Sequence, residues 1–128
     1  MPEKRFGVND DSIEDPIPGA SEGSTGVILV YATFPDAVTA ERIARELVGA
    51  QLAACVNLIP GMRSVYRWEG AVQCEAELSA IIKTRSALLP RVLGWVRIAH
   101  PYVNPALVAL PVLGGSPHFL EWIVNETS

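Results

Sequence analysis

The stretch SVYRWEGAVQCEAELSAIIKT, residues 64 to 84, reads as two strands folded back on each other around Glu69-Gly70, and its length constrains what the chain can become. At about 3.4 Å per residue, the extended run from Ala71 to Thr84 would reach roughly 45 Å. A compact domain of about a hundred residues has a radius of gyration near 13 Å, so it measures only some 33 Å across. Such a run is either broken by a bulge or extends past its own domain. We expect it to project onto a partner chain.

A chain of 128 residues, 49% of them hydrophobic, can fill one ordinary core but not two. Its net charge of −4 is concentrated in residues 1 to 26, where Glu3, Asp10, Asp11, Glu14, Asp15 and Glu22 outnumber Lys4 and Arg5. That stretch is also rich in Pro, Gly and Ser, so it reads as a disordered acidic tail without the apolar core of an export signal. Residues 27 to 128 are read as the single domain. They carry eight acids and eight bases without a Lys/Arg cluster, which leaves no electrostatic footprint for nucleic acid or anionic lipid. No apolar run approaches the roughly eighteen residues of a membrane span, so the expectation is a soluble, cytoplasmic protein. Cys55 and Cys74 lack the close spacing of a zinc site within one chain, and two cysteines make no disulfide framework.

VILVYATF, residues 27 to 34, is a near-continuous β-branched and aromatic run suited to a central strand. Pro35-Asp36 then opens a helix whose apolar stripe is Ala40, Ile43, Ala44, Leu47 and Val48, with Gly49 placed to end it. LAACVNLIPG, residues 52 to 61, predicts a second strand and a turn at Pro60-Gly61. After the hairpin, Ser86 is placed to cap a helix through Leu89, Val92, Leu93 and Val96, in which Gly94 permits close packing. Residues 105 to 113 predict a further strand, and Ser116-Pro117 starts a last helix with Phe119, Trp122 and Ile123 inward. The order βαββαβ with a terminal helix is the ferredoxin-like α+β pattern, in which helices cover one sheet face.

The other face needs a cover. Period two puts Glu75, Glu77, Ser79, Ile81 and Lys83 on one side of their strand and Ala76, Leu78, Ala80 and Ile82 on the core side. With a two-residue turn at Glu69-Gly70, Trp68 lies opposite Ala71 and Tyr66 opposite Gln73, so both aromatics share the glutamates' face. A solvated face does not ordinarily need Tyr and Trp side by side, whereas an oligomer interface or a ligand site does. Tyr66 and Trp68 are therefore the candidate interface residues. Glu77 and Lys83 stand about 20 Å apart along one strand and cannot pair within it.

Taken in order, VYATFPD (30 to 36), LAACVNLIPG, SVYRWEG, IIKT (81 to 84), HPY (100 to 102) and LPV (110 to 112) resemble the CutA (CutA1) divalent-cation tolerance proteins over about residues 27 to 125. The resemblance implies a ferredoxin-like subunit in a tight homotrimer, similar to the PII signalling proteins, with the long hairpin reaching neighbouring subunits. It also aligns Cys55, Glu77, Lys83, His100 and Tyr102 with the family's recurrent polar positions. The chain departs from relatives at Val103, where many have Glu, and at Ala32 and Trp95, where some have cysteines.

Imidazole and thiolate suit copper or zinc, and the chain offers His100, His118, Cys55 and Cys74. The metal candidates are His100, Glu77 and Cys55, joined across a subunit boundary, with no obligatory cofactor. His100 before a proline can equally be a hydrogen-bonded structural residue, and Cys55 a buried thiol. The alternative is a PII-like sensor that binds a small anionic ligand at Lys83 and Tyr102 in inter-subunit clefts and reports to a protein partner. Gly114-Gly115-Ser116 ahead of a helix could present N–H groups to an anion or form an ordinary turn. No nucleophile stands with its base, and GxGxxG and GxxxxGKS are missing, so nothing in the sequence supports catalysis.

Overall fold

The computed structural model describes residues 25–128, and the acidic stretch before them lies outside the described residues. The elements run β1 (Val27–Phe34), α1 (Ala37–Gly49), β2 (Cys55–Trp68), β3 (Ala71–Arg85), a 3-10 turn (Ser86–Leu88), α2 (Leu89–Ala99), β4 (Leu107–Pro111) and α3 (Pro117–Glu126). The strands form one antiparallel sheet in the order β2-β3-β1-β4. This is the ferredoxin-like α+β arrangement with an added terminal helix. Thr25 and Gly26, grouped with the tail by composition, are tied into it: the Thr25 hydroxyl donates to Val112 at 2.9 Å, and Ser86 N–H to the Gly26 carbonyl at 2.8 Å.

Strand β1 is central and buried on its helix side, where Ile28, Val30, Ala32 and Phe34 meet Leu78, Ala80 and Ile82 of β3. Helices α1 and α2 close this layer with Ala40, Ile43, Leu47, Leu89, Val92, Leu93 and Val96. Each large aliphatic side chain so buried contributes about 1.5–3 kcal/mol relative to exposure. Helix α1 starts because Asp36 is extended and its Oδ1 accepts from Thr39 N–H at 2.8 Å, satisfying one of the helix's orphan donors. It is reversed by Gln51, at φ 60°, while Gly49 remains helical.

The hairpin has the expected turn: Glu69 and Gly70 both have positive φ, and Trp68 faces Ala71 and Tyr66 faces Gln73. Pro60-Gly61, read as a turn, is instead a bulge within a continuous β2, where the register shifts between Ile59 and Met62. Gly61 supplies the φ of +85° that the bulge requires, and proline is tolerated because β2 is an edge strand. Beyond the bulge the ribbon leaves the core, so Ala76, placed in the core by alternation, is exposed along with Val65 and Val72.

Three further expectations are corrected. Ser86 makes no side-chain cap, because it begins the 3-10 turn and α2 starts only at Leu89. Gly94 faces open space, so close packing does not explain it. In α3 only Ile123 is buried, against Val27 and Ala54, whereas Phe119 and Trp122 stack on each other half-exposed at 5.7 Å. Ser116 holds the N-cap position without a side-chain bond.

The cap at Asp36 yields a stability prediction. Asp36→Ala should lower unfolding free energy by about 1 kcal/mol and Asp36→Asn by less, read from urea midpoints at neutral pH, since asparagine keeps the accepting oxygen.

Candidate functional site

Beside the end of β1, at the margin of the core, four buried polar residues come together. Thr33 and Glu77 arrive on β1 and β3, while His100 and Tyr102 arrive on the loop after α2. His100 caps α2 through its own N–H to Val96 and then turns its ring under the strand. Its Nε2–H donates to the Thr33 carbonyl at 2.8 Å, and its Nδ1 accepts from Tyr102 N–H at 3.0 Å. These two bonds fix the neutral Nε2–H tautomer and occupy both ring nitrogens. The ring also stacks on Phe34 at 4.9 Å and packs against Tyr102 at 4.7 Å. A proline at 101 stiffens the loop that makes this possible.

Tyr102 in turn donates its hydroxyl to Glu77 Oε2 at 3.0 Å. Burial, reinforced by the Glu77 carboxylate, raises the Tyr102 phenol above the ordinary tyrosine range. Glu77 is only 5% exposed, and its second oxygen, Oε1, has no hydrogen-bond partner among the described residues. The hydroxyl of Thr33, in a residue 4% exposed, is unpartnered in the same sense. A buried polar group left without a partner costs about 1–3 kcal/mol, more when charged. One residue pair further out, Tyr66 donates to Glu75. Desolvation and that carboxylate push the Tyr66 phenol up to about 12.

The candidate residues therefore fall into three groups. His100, Tyr102 and Glu77 come together, with Thr33 and Phe34 added. Cys55 and Lys83 are opposite each other on β2 and β3, six residues along β3 from Glu77, where Lys83 Nζ lies 5.3 Å from the centre of the Phe119 ring. Tyr66 and Trp68 stand on the projecting ribbon. Lys83 and Tyr102 do not share a cleft within one chain. Thr33 was the residue sequence reasoning missed, although a threonine at an outward position of the apolar run VILVYATF marks a polar contact there.

Copper and zinc fit this chain poorly by donor chemistry. Both imidazole nitrogens of His100 are spent on backbone groups, Cys55 lies on β2 opposite Lys83, and exposed Cys74 points to the opposite face from Glu75 and Glu77. Among the described residues no three His, Cys, Asp or Glu side chains converge as a metal site.

The fold and site define a class: a ferredoxin-like domain with one sheet face under helices and a buried acid–phenol–imidazole cluster beside the end of β1. A family model for "CutA1 divalent ion tolerance protein" matches residues 28–126. The chain belongs to that family. It is 40% identical over 99 residues to the divalent-cation tolerance protein CutA of Thermus thermophilus, covering 77% of this chain and 96% of that one. It is 46% identical over 100 residues to the chloroplastic protein CutA of Arabidopsis thaliana, covering 78% of this chain but only 55% of the relative. Thus the chain spans little more than half the length of its plant relatives. The crystal structure of CutA1 from Oryza sativa superposes with a TM-score of 0.79 at 43% identity, over 84% of this chain and 98% of that one.

The raised phenols predict alkaline behaviour. A folded pKa above the unfolded value near 10 gives stability that is complete below pH 10 and lost as pH rises through 12. Unfolding midpoints should fall steeply between pH 10 and 12, and Tyr66→Phe with Tyr102→Phe should flatten that fall.

Proposed function

We propose that this protein is a non-catalytic, cytoplasmic homotrimer that binds divalent cations weakly and acts in the response to metal ions. The single observation that carries the reading is Glu77: a carboxylate withdrawn from water, oriented by Tyr102 on one oxygen and unpartnered on the other. Such a group calls for a positive charge. Family membership agrees, since the Thermus relative is named for divalent-cation tolerance. No helix among the described residues is long and apolar enough to cross a membrane.

The trimer is supported by the face itself. Ile59, Val108 and Leu110 lie on the uncovered side of the sheet, 47%, 54% and 48% exposed, around half-buried Leu29, Tyr31 and Ile81. An apolar patch of that kind on a single chain marks an interaction surface. In a closed assembly the projecting ribbon with Tyr66 and Trp68 reaches the next subunit. The PII-like alternative, a small anion held by Lys83 and Tyr102, requires those residues from different subunits, because one chain keeps them apart.

Light scattering should give three times the chain mass with or without metal. Tyr66→Ala combined with Trp68→Ala should shift it toward monomer. A monomer in the unaltered protein at all concentrations would remove the trimer, and with it any site shared between subunits. Calorimetric titration with a panel of divalent cations should give saturable heats for at least one of them, and none for any would remove the cation-binding reading.

A further inference from the structure

The geometry points to an oxygen-donor site formed by Glu77 Oε1 and Thr33 Oγ1 that takes a hard divalent cation, of the Mn2+ or Mg2+ kind, in preference to copper. The inference deepens the cation-binding reading above and rests on it.

The register brings the two residues together. Thr33 faces Ser79 in the β1–β3 register, and Glu77 is two residues further along β3 on the same face. Such diagonal neighbours lie about 7–8 Å apart at the backbone, within reach of a glutamate side chain. The contacts run in a chain from one strand to the other: the Thr33 carbonyl holds His100, His100 holds Tyr102, and Tyr102 holds Glu77. His100 and Tyr102 are positioning residues, which aim the carboxylate without offering a free donor atom. Both oxygens are more than nine-tenths buried and lack partners, two independent signs that something small completes the cluster.

The missing element is positive. Among the described residues, the bases on Glu77's face of β3 are Lys83 and Arg85. Those lie six and eight residues away, about 20 Å or more, and both are engaged, Lys83 over Phe119 and Arg85 with Thr127. Arg63 and Arg67 pair with Ala76 and Val72, which places them on the opposite face. One chain already seals the two oxygens before any second copy docks, so a small ion fits better than an arginine from a neighbour. Carboxylate and hydroxyl oxygens select hard cations, and Mg2+ or Mn2+ can be held by a single carboxylate with retained waters.

The test uses the full chain. Mn2+ is titrated and the free hexaaqua ion followed by electron paramagnetic resonance, while Cu2+ is titrated by calorimetry, for the unaltered protein, Glu77→Gln, Thr33→Val and Cys55→Ser. Circular dichroism and light scattering check folding and mass. The expected result is one Mn2+ per chain, displaced by Mg2+, with affinity at least ten-fold weaker in Glu77→Gln and several-fold weaker in Thr33→Val. Should Glu77→Gln fail to fold, Thr33→Val carries the comparison. Mn2+ binding unchanged in both variants overturns the site. Copper binding lost in Cys55→Ser, with no Mn2+ bound, overturns it in favour of a soft site and leaves the cation-binding reading standing. Neither metal binding overturns both, and if Glu77→Gln then also dissociates the oligomer, Glu77 answers a group on a second copy.

Discussion

The antiparallel register between β1 and β3 is the constraint on which this structure depends. With Val30 opposite Ile82 and Ala32 opposite Ala80, the even-numbered residues of the stretches 28–34 and 78–82 enter the helix-covered core. The odd-numbered ones, from Leu29 and Tyr31 to Glu77 and Ser79, occupy the other face. A slip of β1 by one residue would turn Ile28, Val30 and Ala32 away from the helices and Leu29, Tyr31 and Thr33 under them. The apolar content of β1 makes that slip costly, so the same side-chain alternation that builds the core also assembles the polar cluster.

The cluster sits where that register meets the loop after α2. Its interior bonds are individually ordinary, but each member holds the next, so removing His100 would release the Thr33 carbonyl and Tyr102 together. Burial without full satisfaction is expensive, and polar networks are tolerated only when nearly every member is paired. Among the described residues, the deficit in buried side-chain polar atoms is confined to two oxygens. A deficit so localised is better understood as a binding property than as an error of packing.

Much of the fold was legible because its signals were local. The buried run VILVYATF, the Asp36 cap, and Glu69-Gly70 between alternating strands each act within a few residues. What failed depended on tertiary context. Pro60-Gly61 has the composition of a turn, and only the continuing pairing of Met62 with Glu77 makes it a bulge. Phe119 and Trp122 have helical spacing for burial, but α3 meets its own chain only along the Ile123 stripe. At the site, the polar residues were recognisable and their roles were not. A histidine attracts a metal assignment by residue type, yet whether its nitrogens are free is decided by Thr33, far away in sequence, and by a backbone N–H that carries no sequence signature at all.

The uncovered face joins assembly to chemistry. Sheets of this fold normally leave one face to solvent, and then its outward positions are polar. Here that face is apolar through Leu29, Ile59, Val108 and Leu110, and polar mainly at its two ends, the Glu77 cluster and Lys83 with Arg85. Among the described residues, β2 and β4 are the edges of the sheet. A second copy that covers the apolar centre would lower the local dielectric at both charged ends. Uncompensated charge would then become more expensive and compensated charge more stable. On that argument the proposed trimer strengthens the demand of Glu77 for a cation without supplying one, because the carboxylate is already enclosed within its own chain.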